Sequence, residues 1–83
     1  MKPDLAELLA SARYVSLPLT VPFRGITQRE LVLLEGKLGW SEFSPFVEYS
    51  DQESSTWLAA SCDFGWNALP SLQRETIGIN ATI

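Results

Sequence analysis

The chain contains no histidine and a single cysteine, Cys62. It therefore lacks the side chain whose ordinary pKa lies nearest neutrality and which most often ligates a metal. No Ser-His-Asp or Cys-His nucleophile pair can be assembled from these residues. One sulfur does not supply the roughly four soft ligands of a structural zinc site. Nor can it close an internal disulfide, which fits a reducing compartment and leaves a small domain without a covalent staple. Catalysis by this chain's own side chains is not expected.

Basic charge is also scarce. Six Lys and Arg stand against ten Asp and Glu, a net charge of -4 with no basic cluster. A nucleic-acid binder draws its affinity from neutralising phosphates, so that class is disfavoured, and attraction to an anionic membrane surface with it. No apolar run is longer than that of Leu31 to Leu34, far short of the roughly 18 residues of a membrane helix. The opening Met1-Lys2-Pro3-Asp4 puts an acid where a secretory signal carries its apolar stretch. A soluble, cytoplasmic chain is expected. What is present is ordinary for a globular protein: 83 residues, 46% hydrophobic and 19% charged, enough for one small domain.

Periodicity organises that domain as an α+β fold. Leu5, Leu8, Leu9 and Ala12 fall on one helical face, with Asp4 and Glu7 at capping-box spacing. Val15, Leu17, Leu19, Val21 and Phe23 then alternate with Tyr14, Ser16, Pro18, Thr20 and Pro22, predicting a strand with one buried face. Pro18 and Pro22 share a parity, so their missing N–H groups mark an unpaired edge. After a break at Gly25, Arg29 to Glu35 predicts a central strand covered on both faces. Gly36 to Gly39 supplies turn chemistry, and Trp40 to Phe43 returns as a third strand. These segments predict a three-stranded antiparallel meander. Ser50 and Glu53 open a second helix with Trp57, Ala60, Ser61 and Phe64 on one face and Gly65 as its C-terminal cap. Asn67 to Arg74, with Pro70, reads as a connecting loop. A last strand is predicted on Ile77, Ile79, Ala81 and Ile83. It either closes the sheet or begins a further structure.

Few residues invite a chemical reading. Glu48, Asp51 and Glu53 match no calcium loop, and the latter two suit a helix N-terminus. Gly36 and Gly39 lack the Lys-Ser/Thr of a phosphate loop and suit a hairpin. Arg24, beside Gly25 between two strands, has the fork that grips a carboxylate, and equally the look of a solvated surface arginine. Phe43, Pro45, Phe46 and Tyr49 read as a small-molecule wall, as a docking surface or as part of the core. Trp40, Trp57 and Trp66 are expected mainly in the core.

Several of these stretches together resemble a known family. Phe23-Arg24-Gly25-Ile26-Thr27 with Arg29-Glu30, then Gly39-Trp40-Ser41-Glu42-Phe43-Ser44-Pro45-Phe46 and Glu48-Tyr49, resemble the N-terminal part of the o-succinylbenzoate synthases. The similarity is to the actinobacterial branch of that family, within the enolase superfamily. It extends from about Arg13 to Ile83 and takes in Trp57-Leu58 and Ile79-Asn80-Ala81-Thr82. Ser41 departs from it, standing where the superfamily commonly has Gly.

The resemblance implies a capping domain over residues 1–75 and, over 76–83, a strand leading toward a (β/α) barrel. Such a barrel needs roughly 250 residues and lies outside this chain. The family's enzyme dehydrates a cyclohexadiene carboxylate in menaquinone synthesis. Barrel lysines do the acid–base work there, and barrel carboxylates hold magnesium. By the same resemblance this chain holds no metal and no catalytic group. It offers substrate-facing segments within 22–28 and 43–49, with Arg24, Gly25, Ile26, Thr27, Phe43, Ser44, Pro45 and Phe46 as the residues to watch. Its ligand would be a small carboxylate bound only together with the barrel, and the barrel-facing surface would self-associate if left bare. The alternatives are a stand-alone protein-binding module and a truncated gene product without function.

Overall fold

A computed structural model describes residues 1–82. Helix α1 spans Leu5–Ser11, opened by Asp4, whose Oδ1 accepts the Glu7 N–H at 2.8 Å. It stops a residue earlier than its periodicity suggests. Ala12 already belongs to strand β1, Ala12–Phe23, with its N–H closing the helix on the Leu9 carbonyl. A helix of this length is marginal by itself. It is held by the buried Ser11 and by Glu7, whose carboxylate accepts the Trp66 indole N–H at 3.0 Å.

Strands β1, β2 (Ile26–Glu35) and β3 (Trp40–Phe43) form the expected antiparallel meander, in the spatial order β1-β2-β3. β1 lies at the sheet edge, as its prolines predict. Its pairing with β2 runs regularly from Ala12 opposite Leu34 to Pro18 opposite Gln28, then shifts so that Phe23 faces Ile26. The odd-numbered slip reverses the alternation. Phe23 now shares a face with Pro18 rather than with Leu17, because Ile26 and Gln28 lie on one side of β2. The face predicted to be buried is only partly so: Val15 and Leu19 are half-buried, whereas Leu17, Val21 and Phe23 are exposed.

Helix α2, Asp51–Trp66, begins where predicted, with Ser50 Oγ accepting the Glu53 N–H at 3.1 Å. Asp51 and Glu53 lie in its first turn, where negative charge suits the exposed N–H groups. Gly65 is not its cap. The helix continues through Trp66, and Asn67 closes it by donating to the Asp63 carbonyl at 3.0 Å. Gly65 is buried because α2 passes against the β2–β3 turn at that point. The Leu38 N–H donates to the Gly65 carbonyl at 2.9 Å, and a Cβ on Gly36 would meet the Gly65 backbone closer than the 3.0 Å that real Cβ atoms respect. Further along, Ser61 Oγ donates to the Glu42 carbonyl at 2.5 Å and ties α2 to β3.

The core this produces is thin. Leu34 and Trp66, at 1% and 3% exposure, are the hydrophobic residues buried among those described. Leu31, Val32 and Leu33 are half-buried, so β2 is not covered on both faces as its composition suggested. Trp40 and Trp57, expected in the core, are partly exposed instead. The accessible surface is 6882 Å², against about 4,900 Å² for a folded monomer of 9.2 kDa. The radius of gyration is 15.2 Å, where about 12 Å is usual for this length.

Residues 67–82 lie beyond the last helix and carry no helix or strand. The strand predicted on Ile77, Ile79 and Ala81 is thus not formed, and Ile83 falls outside the described residues. A strand exists only where a neighbour completes its ladder. Apart from the Asn67 cap, none of these residues makes a backbone hydrogen bond to another among the described residues, and Ile79 is 86% exposed. No helix is long and apolar enough to cross a membrane among the described residues.

Candidate functional site

The β1–β2 turn and the segment after β3 meet at one end of the sheet. Arg24 and Gly25 are the two turn residues, with φ of 52° and 79°. Two positive φ values in succession are the mark of the tight hairpin turn whose twist matches its strands. Glycine takes this conformation freely, whereas arginine does so at a cost of about 1–2 kcal/mol.

The Arg24 guanidinium pairs with Glu48 at 2.5 Å and lies 4.2 Å from the centre of the Phe46 ring. The Arg29 guanidinium, from β2, lies 4.4 Å from the same ring and donates to the Ser44 carbonyl. Phe46 is also tilted against Phe23 at 6.1 Å and stands edge-on to Tyr49 at 5.6 Å. Tyr49 meets Trp57 of α2 at 5.3 Å, so aromatic contact runs from the turn to the second helix. The Tyr49 N–H donates to the Phe46 carbonyl at 3.0 Å and folds the segment on itself.

Between these groups lies a hollow of about 110 Å³, whose walls include Arg24, Ile26, Arg29, Pro45, Phe46 and Glu48. Its charge is balanced: Arg24 and Arg29 stand with Glu48 and Glu30, and Glu30 also accepts the Tyr14 hydroxyl at 2.9 Å. Of the residues singled out from sequence, Arg24, Ile26, Pro45 and Phe46 come together here. Ser44 joins them through its carbonyl, while its hydroxyl donates to the Glu42 carboxylate at 2.6 Å. Gly25 shapes the turn, Thr27 is exposed on β2, and Phe43 lines a neighbouring hollow with Tyr14 and Val32.

Two contributors escaped the sequence reading. By sequence Glu48 groups with Asp51 and Glu53 as an acidic cluster, yet it pairs with Arg24. Arg29 read as the polar start of a strand. Its half-buried placement against the Phe46 ring follows from register and loop path, which no local pattern signals.

A second and larger concavity, about 720 Å³, opens between α2 and the sheet, with walls including Leu33, Trp40, Trp57, Ala60 and Phe64. These are the apolar helix face predicted from sequence and the tryptophans missing from the core. It carries almost no chemistry. Cys62 lies off it, half-buried, in another depression near Met1 and Leu58. Burial pushes its thiol pKa up, against a smaller opposing pull from Lys2.

The sequence has relatives among known proteins. The family model of enolase N-terminal domain-like proteins matches residues 14–65, from β1 through nearly all of α2. The o-succinylbenzoate synthase of Mycobacterium leprae (strain TN) is 46% identical over 83 residues, covering 100% of this chain and 25% of the relative. That of Mycobacterium tuberculosis (strain ATCC 25618 / H37Rv) is 44% identical over 81 residues, 98% of this chain and 25% of the relative. The o-succinylbenzoate synthase of Mycolicibacterium smegmatis is 42% identical over the same share of each. The chain thus spans about a quarter of the length of the curated relatives it matches. With a three-stranded antiparallel meander, a helix on each side of it in sequence and this family match, the chain belongs to the enolase N-terminal domain-like family.

Proposed function

We propose that the chain is the capping portion of a magnesium-dependent o-succinylbenzoate synthase, which dehydrates a cyclohexadiene carboxylate in menaquinone synthesis in the cytoplasm. The observation that carries this reading is the meeting of the turn at 24–25 with the 43–49 segment in one arginine- and aromatic-lined hollow. Such a wall excludes water and fixes the shape of what enters, which is positioning and not bond making. Arg24 presents its fork to a substrate carboxylate, with Glu48 holding the guanidinium in place until then. Phe46 and Pro45 form the apolar side, with Phe43 and Ser44 at the margin and Gly25, Ile26 and Thr27 as the frame of the turn.

Magnesium has no seat among these residues. Glu48 is engaged by Arg24, Asp51 and Glu53 lie in the first turn of α2, and no group of three His, Cys, Asp or Glu comes together among the described residues. In this reading the metal belongs to the remainder of the enzyme. Residues 1–75 are the cap, and the stretch from 76 onward takes up a strand only when the barrel supplies a partner.

The open surface supports this reading over a stand-alone binding module, since a self-sufficient domain covers its large apolar side chains. Produced alone, the chain should self-associate and brighten an apolar dye. Size-exclusion chromatography showing a dye-silent monomer would favour the stand-alone module. The activity is tested by a chimera in which this chain replaces the matching quarter of the Mycolicibacterium smegmatis enzyme. It should sustain dehydration within about tenfold of the parent, and Arg24→Ala in it should raise KM by about tenfold or more. A folded but inactive chimera, checked by circular dichroism, would sink the reading; an unchanged KM would remove Arg24 from it.

A further inference from the structure

We propose that Arg29 is a positioning residue that fixes the 43–49 segment against the Arg24–Gly25 turn. It stands on β2 opposite Leu17 of β1, and its guanidinium grips the Ser44 backbone carbonyl while lying 4.4 Å from the Phe46 ring centre.

The contact at the tip cannot place the segment unaided. Arg24 and Glu48 are 42% and 49% exposed, and ion pairs so open to water contribute little. Arg29 differs in two respects. Its side chain is half-buried, so its charged hydrogen bond is less screened by solvent. Its acceptor is a main-chain oxygen, so the grip fixes the path of the backbone and not merely a rotamer. Phe46 receives the second contact, and the Phe46 carbonyl in turn holds the Tyr49 N–H. One side chain, on a strand laddered to β1 at that position, therefore sets both the entry and the middle of the segment. Planarity matters for this task, since a guanidinium donates in its plane while stacking with its face, and an ammonium does not.

The consequence for substrate rests on the capping reading; the placement of the segment does not. Both are tested in the full-length protein with Arg29→Met, Arg29→Lys, Phe46→Leu and the double variant Arg29→Met/Phe46→Leu. Amide hydrogen exchange at Tyr49 should quicken roughly tenfold in both Arg29 variants. The Ser54 amide, bonded to the Ser50 carbonyl at 2.9 Å in α2, should be unmoved.

In kinetics, KM should rise roughly tenfold with kcat changed less than about twofold, as when a wall is displaced and the reacting groups are not. The double variant should be no worse than the worse single one, because Arg29 acts through Phe46. Unchanged Tyr49 exchange, additive effects on KM, or full rescue by Arg29→Lys would each overturn the proposal. Absence of dehydratase activity in the unaltered protein would instead defeat the functional reading, and the exchange result would still decide the role of Arg29.

Discussion

Gly36→Ala should disrupt the junction of α2 with the β2–β3 turn. The new Cβ meets the carbonyl, carbonyl carbon and Cα of Gly65, all backbone atoms that no rotamer change can move aside. Overpacking typically costs 1–3 kcal/mol, and a clash with main chain belongs at the upper end, about 3 kcal/mol. The Leu38 amide reports on this directly, since it bonds to the same Gly65 carbonyl at 2.9 Å. Its hydrogen exchange should accelerate on the order of a hundredfold. Gly25→Ala is the control, because nothing lies within 4 Å of a Cβ there and only its φ of 79° is strained. That change should cost about 1–2 kcal/mol and leave the Leu38 amide protected. Equal effects of the two substitutions on Leu38 would mean that the close approach of Gly36 and Gly65 is not what holds the helix.

Trp66→Ala should release α1. Trp66 is one of two buried hydrophobic residues among those described, and removing an indole from a core costs about 3–5 kcal/mol. It also joins two distant parts of the chain, because its N–H donates to Glu7 in α1 at 3.0 Å. A helix running only from Leu5 to Ser11 does not persist without such a tether. The α1 amides should exchange as in an unfolded chain, while those in the β1–β2 ladder keep most of their protection. Trp66→Phe separates the two contributions: it retains most of the apolar contact and loses the hydrogen bond, so its effect should be near 1 kcal/mol. If α1 stays protected in Trp66→Ala, its tether lies elsewhere.

Local chemistry announced much of this fold. Asp4 and Ser50 are followed three residues later by glutamates, and both cap their helices through the N–H of that third residue. Pro18 and Pro22 foretold that β1 lies at an edge, since a missing N–H is harmless only where no partner waits. The failures were non-local. A slip between Pro18 and Phe23 reversed the face of Phe23, and Gly65, which looks like a cap, proved to be a contact point for another glycine. The alternation of Ile77, Ile79 and Ala81 is a strand pattern without a strand among the described residues, because hydrogen-bond partners are not encoded in the segment that needs them.

The candidate site divides the same way. That Arg24 sits in a turn and that aromatics crowd 43–49 follows from residue order, as does the absence of histidine and hence of its chemistry. Which of these residues meet was decided by tertiary structure. Glu48 reaches Arg24 across 24 positions of sequence, and Arg29 comes to lie over Phe46 only because the chain turns back after β3. Periodicity and capping act within one helix turn or one strand, so sequence alone determined the two helices, the three paired strands and their order. Cross-strand register and loop path are settled by contacts between segments, and those contacts made the hollow between the turn and the loop.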